Sequence, residues 1–305
     1  MKIQDAVVLI TGAAMGMGRI YAQLAAREGA GTIVLWDINA GLLEQAATEL
    51  KAAGARRVIQ QVVDVSSMEE IKKAAASVLA EAGPPHLLIN NAGIARGKYF
   101  WEHAHDLDIE LIMRINALAP MHITRAFLPA MLESPDDRRI VNIASAGGLV
   151  SNPRMSVYSS SKWAVVGWSD SLRLELEKTG NGRIKTTTVC PNYISTGMFK
   201  GVGKILLTRL LTPEEVTNTV WTAMKAGKPY VIMPWTTQLG KALKGVLPVR
   251  AWDFLADRVF GIYNTMDSFV GRKEPQMPTA VSGQRTADSA IKRSDKALGR
   301  RGEHD

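Results

Sequence analysis

Tyr158 and Lys162 stand four residues apart, so on a helix they share one face. A phenol with an ordinary pKa of ~10 is a poor base near neutrality and needs positive charge beside it before it takes a proton. An ammonium one turn away supplies that charge. Nearer the N-terminus, Thr11-Gly12-Ala13-Ala14-Met15-Gly16-Met17-Gly18 follows an apolar run and leads into a helical pattern. Glycines in such a turn let the backbone approach a pyrophosphate, and the free N–H groups and positive dipole end of the helix attract it. The next apolar run ends in Leu35-Trp36-Asp37. Asp37 lies about 20 residues past the glycines, where a carboxylate accepts from both adenosine-ribose hydroxyls and repels a 2′-phosphate. Neither Met15 in the turn nor Ile38 after the aspartate is basic, so NAD is expected as cofactor in preference to NADP. Asp64 and Val65, after the third apolar run, are candidates to flank the adenine. The Asp64 carboxylate reads equally well as a turn group capping the helix near Ser66.

These residues need a frame. Apolar runs of strand length recur at Ala6–Ile10, Thr32–Trp36, Val58–Val63, Leu87–Asn90, Ile140–Ala144, Thr186–Cys190 and Tyr230–Met233. Between them Arg19–Glu28, Leu42–Ala53, Met68–Ala82, Leu107–Leu132 and Val157–Lys178 carry apolar residues at helical spacing. Strand and helix in alternation predict an α/β fold, a Rossmann-type doubly wound parallel sheet of about seven strands with helices on both faces. No linker or repeat interrupts residues 1–271, so one domain is expected there. Residues 272–305 turn polar and basic and are expected to form a mobile tail.

The glycine spacing resembles that of the short-chain dehydrogenase/reductase family over roughly residues 5–235. Four further segments match in order: Asn90-Asn91-Ala92-Gly93, Asn116, Ser145 and Tyr158-Ser159-Ser160-Ser161-Lys162. The resemblance implies that Asn91, Ala92 and Gly93 adjoin the cofactor. It also implies that Lys162 holds the nicotinamide-ribose hydroxyls, Ser145 bonds the substrate oxygen and Asn116 supports a water chain to solvent. Tyr158 would take the hydroxyl proton as hydride leaves an alcohol carbon, or protonate a carbonyl oxygen in reverse. After the sixth strand, Pro191, Ile194 and Thr196 are in register to contact the nicotinamide. Asn192 stands where the family usually has glycine, and asparagine tolerates the positive φ that such a turn would need. No metal is expected, because the five histidines show no zinc-like spacing with the single cysteine. His103 and His105 read as surface residues. A non-catalytic nucleotide-binding protein on the same frame would be expected to have lost part of the Ser145, Tyr158 and Lys162 set.

Leu35-Trp36-Asp37-Ile38-Asn39 and Ile194-Ser195-Thr196-Gly197-Met198-Phe199 resemble the branch that contains retinol dehydrogenases and hydroxysteroid 17-beta dehydrogenases. Residues 197–211 would then form a substrate lid and 235–263 a C-terminal helical cap, both rich in Leu, Met, Phe, Trp and Val; packing of these residues against the sheet or a second subunit alone is the equal alternative. A hydrophobic alcohol of retinoid, steroid or long-chain type, or its carbonyl partner, is the expected substrate; reduction of a ketone or acyl intermediate is the alternative. Within the cap, apolar residues alternate with Lys241, Lys244, Arg250 and Arg258, and Pro248 divides two short helices. That segment is expected to be a lid or subunit contact with its apolar face covered, in preference to a membrane contact.

A chain of 305 residues, 46% hydrophobic and 22% charged, has enough apolar material for a large core, which excludes disordered and fibrous classes. The net charge of +8 is +1 over residues 1–199, +4 over 200–271 and +3 over 272–305. It is expected to be ordinary solvated surface, with no nucleic-acid partner. One cysteine and no long apolar leader point to a cytoplasmic protein without an anchor. By resemblance, a homodimer or homotetramer is expected.

Overall fold

The computed structural model describes residues 1–271; the expected mobile tail lies outside the described residues. Seven parallel strands run β1 (Val7–Thr11), β2 (Thr32–Asp37), β3 (Val58–Val62), β4 (Leu87–Asn90), β5 (Arg138–Ile143), β6 (Ile184–Pro191) and β7 (Tyr230–Met233), in the spatial order β3-β2-β1-β4-β5-β6-β7. Every residue of β1 and β4 is buried, as near-continuous apolar strands require when both faces are covered. Alternation sorts their side chains. Val8, Ile10, Ile33 and Leu35 join one core with Tyr21, Leu43 and Val216. Leu9, Val34 and Trp36 join another with Ile71, Phe127 and Leu172. The first face is covered by α1 (Gly16–Arg27), α2 (Ala40–Ala52) and α7 (Pro213–Lys225). The second is covered by α3 (Met68–Ala82), α5 (Ala119–Glu133) and α6 (Ser156–Lys178). Helix α7 was not named from periodicity, but Thr212 accepts from Glu215 N, Pro213 opens the first turn and two glutamates sit within it, a helix start legible in the sequence.

The strand order reverses between β1 and β4, and that switch point opens a crevice at the carboxyl ends of the strands. The helix expected over Leu107–Leu132 is present without a gap, its junction residues all in the right-handed helical region, but it is not α throughout. Wide π turns at His105–Glu110 and Arg114–Leu118 flank a short α4 (Leu111–Met113) before α5 begins. Periodicity reported the apolar face correctly but carries no information on the extra residue per turn. After β7 come α8 (Trp235–Val246) and α9 (Val249–Phe254), divided at Pro248 as expected.

His103 departs from its expected surface place. Its ring is buried with Nδ1 3.6 Å from Asp108 Oδ2, and Asp108 in turn takes Lys98 Nζ at 2.7 Å and a guanidinium hydrogen bond from Arg96. Burial raises the Asp108 pKa, but these cations outweigh it and hold the carboxyl below the usual carboxylate range. The buried carboxylate gathers Arg96, Lys98 and the His103 ring around it within a dozen residues, a grouping that the polarity of His103 by itself does not report.

Candidate active site

Gly12 and Gly16 adopt positive φ, +63° and +55°, which only glycine takes without strain. A Cβ on Gly18 would collide with the Gly12 carbonyl oxygen, whereas one on Gly16 would point into open space. Thr11 ties this turn to β4: its Oγ1 accepts from the backbone N–H of Asn91 at 3.0 Å and of Ala92 at 3.1 Å. The Asn91 amide donates to the carbonyls of Thr11 and Gly12 at 2.9 and 3.1 Å. Whereas α2, α3 and α7 are capped by Asn39, Ser67 and Thr212, α1 has Met15 at its cap without a side-chain hydrogen bond, and no acid in its first turn. A helix start left without a side-chain acceptor and facing open space at Gly16 fits a pyrophosphate. Met17 packs partly into the core.

Asp37 Oδ2 accepts from Ala14 N and Oδ1 from Asn39 N, both at 3.0 Å. The carboxylate is thereby fixed at the end of β2 beside the glycine turn, with Ile38 exposed next to it. Asp64 Oδ1 accepts from Ser66 N at 2.8 Å, which is the turn-carboxylate role, and Val65 lies half-buried beside it.

Ser145, Tyr158, Lys162 and Asn116 converge from three elements. Lys162 Nζ donates to the Ile143 carbonyl at 2.8 Å, and Nζ lies 5.9 Å from the centre of the Tyr158 ring. Asn116, inside the second π turn, accepts from Ile94 N at 2.9 Å and donates to Ile94 O at 2.8 Å and to Ser161 Oγ at 3.1 Å. Gly93 fits between them, since a Cβ there would sit 3.2 Å from Asn116 Oδ1 and 3.6 Å from Lys162 Nζ. Ser145 Oγ accepts from Gly147 N at 3.1 Å. Burial pushes the Tyr158 phenol up to about 12, with its bond to Ser145 pulling the other way. Burial also pulls Lys162 down to about 8. The chain on its own therefore keeps the phenol protonated, and taking a proton there requires further positive charge close by.

Ser145 and Tyr158 open onto a cleft enclosing about 880 Å³, part of it open to solvent. Phe199, Leu206 and Leu207 of the lid and Trp235, Leu239 and Phe260 of the cap line it. Residues of both the 197–211 and the 235–263 segments thus line one cleft with Ser145 and Tyr158. Polar groups missed from sequence stand among them: Asn152 Nδ2 donates to Tyr193 Oη at 3.2 Å, and Tyr193 Oη pairs with Thr265 Oγ1 at 2.8 Å. Partners separated by 41 and 72 residues leave no local signal.

The loop after β6 corrects one expectation. Asn192 does not take a positive φ; the non-glycine residues that do are Asp5, Arg154 and Leu207. Asn192 instead uses its side chain, accepting from Tyr193 N at 2.8 Å and reaching Thr237 Oγ1 at 3.5 Å. Pro191 closes β6 opposite Met233, the Ile194 side chain is buried in the core, and Thr196 N donates to Ile194 O at 2.8 Å. Cys190 is a buried free thiol that burial pushes up to about 12. The described residues hold no group of three or more His, Cys, Asp or Glu placed to bind a metal.

Residues 6–205 match the family described as short chain dehydrogenase. Mouse epidermal retinol dehydrogenase 2 is 36% identical over 275 residues, 90% of this chain and 88% of its own. Human estradiol 17-beta-dehydrogenase 11 is 38% identical over 276 residues, 89% and 88% of the two chains. Of solved structures, a short chain dehydrogenase/reductase from Burkholderia phymatum in complex with NAD gives a TM-score of 0.73 at 28% identity, covering 80% of this chain and 94% of that one. A metagenomic short-chain oxidoreductase in complex with NADP gives 0.64 at 25% identity, covering 76% and 98%.

Proposed function

From the premise that the chain belongs to the short-chain dehydrogenase family and is an oxidoreductase acting on CH–OH groups, we propose that it oxidises a hydrophobic alcohol with NAD, Tyr158 serving as acid and base. The observation that carries the substrate class is the cleft itself, which places Ser145 and Tyr158 among Phe199, Leu206, Trp235 and Leu239. A retinoid, a steroid or a long-chain alcohol suits such walls, and the relatives named for retinol and estradiol point the same way.

NAD, when bound, would supply the acceptor for the hydride of the carbinol carbon. Tyr158 takes the hydroxyl proton, so the alcohol loses hydride and proton together and leaves as a carbonyl compound. Ser145 holds the substrate oxygen against the phenol. Lys162, fixed by the Ile143 carbonyl, contributes positive charge that favours the phenolate and would hold the nicotinamide-ribose hydroxyls. Asn116 locks the loop after β4 to α6 through Ile94 and Ser161 and supports the proton's exit to solvent. The same residues serve the reverse reduction. Asp37 supports NAD as the partner, since its carboxylate is held at the ribose end of the turn and neither Met15 nor Ile38 offers a cation to a 2′-phosphate.

Assaying retinol, estradiol and straight-chain alcohols, with the matching carbonyl compounds, against NAD and NADP separately tests substrate class, direction and cofactor. Turnover only of small polar alcohols, or with NADP at equal low concentration in preference to NAD, overturns the reading.

A further inference from the structure

Helix α8 is amphipathic in the reverse of the usual sense. Trp235, Leu239, Ala242 and Val246 recur at i, i+4, i+7 and i+11 and so form one stripe. That stripe faces outward: Trp235 is 62%, Leu239 41% and Val246 78% exposed, and Ala242 is exposed too. The opposite side faces the protein, with Thr237 buried and Gly240 against the Trp252 ring and Val150. Within the single chain this stripe is not covered, apart from the share of Trp235 and Leu239 that lines the cleft. Beyond Pro248, Val249 and Phe254 are also exposed, while Trp252 and Ala256 are buried and hold the segment down. The exposed lid residues Leu206 and Leu207 line the same cleft as Trp235 and Leu239, so the apolar patch surrounds the cleft mouth.

We propose that this patch, α8 and α9 with Leu206 and Leu207, docks on an anionic lipid bilayer. Charge decides the occupant. Lys204, Lys241, Arg250 and Arg258 are exposed on these same segments, and residues 200–271 carry a net +4. A two-fold contact with a second copy would bring this cationic surface against itself. An anionic headgroup layer instead neutralises it while the apolar stripe enters the acyl boundary and Trp235 sits at headgroup level. The contact is peripheral, since no helix among the described residues is long and apolar enough to cross a membrane. On the substrate class proposed above, the docked cleft would draw its ligand directly from the lipid phase.

Sedimentation of the full chain with vesicles of phosphatidylcholine plus phosphatidylglycerol, and of phosphatidylcholine alone, tests the surface without any turnover. Binding to the mixed vesicles is expected, weakened by added salt. Lys241→Glu with Arg250→Glu should reduce it to the phosphatidylcholine level, and Val246→Asp with Val249→Asp should abolish it, with thermal unfolding and NAD affinity retained in both. The proposal is overturned by absence of binding to mixed vesicles at low salt, or by binding that neither pair of substitutions weakens. It is equally overturned if the chain ignores vesicles and forms a dimer that Val246→Asp with Val249→Asp dissociates.

Discussion

Lys162 Nζ donates to the carbonyl oxygen of Ile143 at 2.8 Å, joining helix α6 to the last residue of β5. The bond pins the ammonium beneath the sheet's carboxyl edge, where burial pulls its pKa down to about 8 from an ordinary 10.5. Below about pH 8 the group is charged in folded and unfolded chains alike, and the full burial cost is present. Between about 8 and 10.5 the folded chain sheds the proton while the unfolded chain keeps it. The unfolded state then binds more protons, so this group's contribution to stability rises with pH. Lys162→Met should accordingly gain most over the parent at pH 7, with the gain shrinking as pH approaches 10. Urea midpoints of both proteins across that range check this; a gain that stays constant with pH refutes it.

Tyr158 opposes that trend at higher pH. Its phenol, pushed up to about 12 by burial, stays protonated while the unfolded chain ionises from ~10, so stability falls again above that point. In Tyr158→Phe the ring packing against Phe199, 6.1 Å between centroids, is retained and the acid-base group is gone. Turnover should fall by about 10²–10⁴-fold with NAD affinity nearly unchanged, as steady-state rates and nucleotide titration will show. Near-normal turnover would remove Tyr158 from its assigned role.

Asp37→Ala removes the carboxylate that Ala14 and Asn39 hold in place. The ratio of kcat/KM for NAD over NADP should narrow by about tenfold or more, equivalent to ~1.4 kcal/mol of relieved charge repulsion. A ratio unchanged by the substitution would place cofactor choice elsewhere.

The glycine turn separates two kinds of constraint. Gly18→Ala drives a methyl into the Gly12 carbonyl and towards the Asn91 amide, and a forced backbone shift should cost about 1–3 kcal/mol of stability along with NAD binding. Gly16→Ala meets no atom and should lose about 1 kcal/mol through its positive φ, yet still weaken NAD because the methyl occupies the open side of the turn. Thermal unfolding with nucleotide titration distinguishes them; equal stability losses would contradict this account.

Local spacing was sufficient for much of this protein. The glycine turn, Asp37 at the end of β2, and Tyr158 with Lys162 one helical turn apart are each set within one βα unit or one helix, so residue type and interval report them directly. Apolar runs likewise pointed to all seven strands: β1 and β4, buried on both faces, are apolar nearly throughout, while the edge strand β3 keeps Val58, Ile59 and Val62 around two glutamines. Tertiary structure decided what depends on distant partners. The π turns that present Asn116 to Ile94 and Ser161, the Ile143 carbonyl that seats Lys162, and the Asn192 amide that reaches Thr237 join residues 19 to 45 positions apart. The orientation of α8 is the clearest case. Its apolar period was visible in the sequence, but periodicity says only that a helix has an apolar face, and it was the packing of Thr237 and Gly240 against the protein that turned Trp235, Leu239 and Val246 towards solvent.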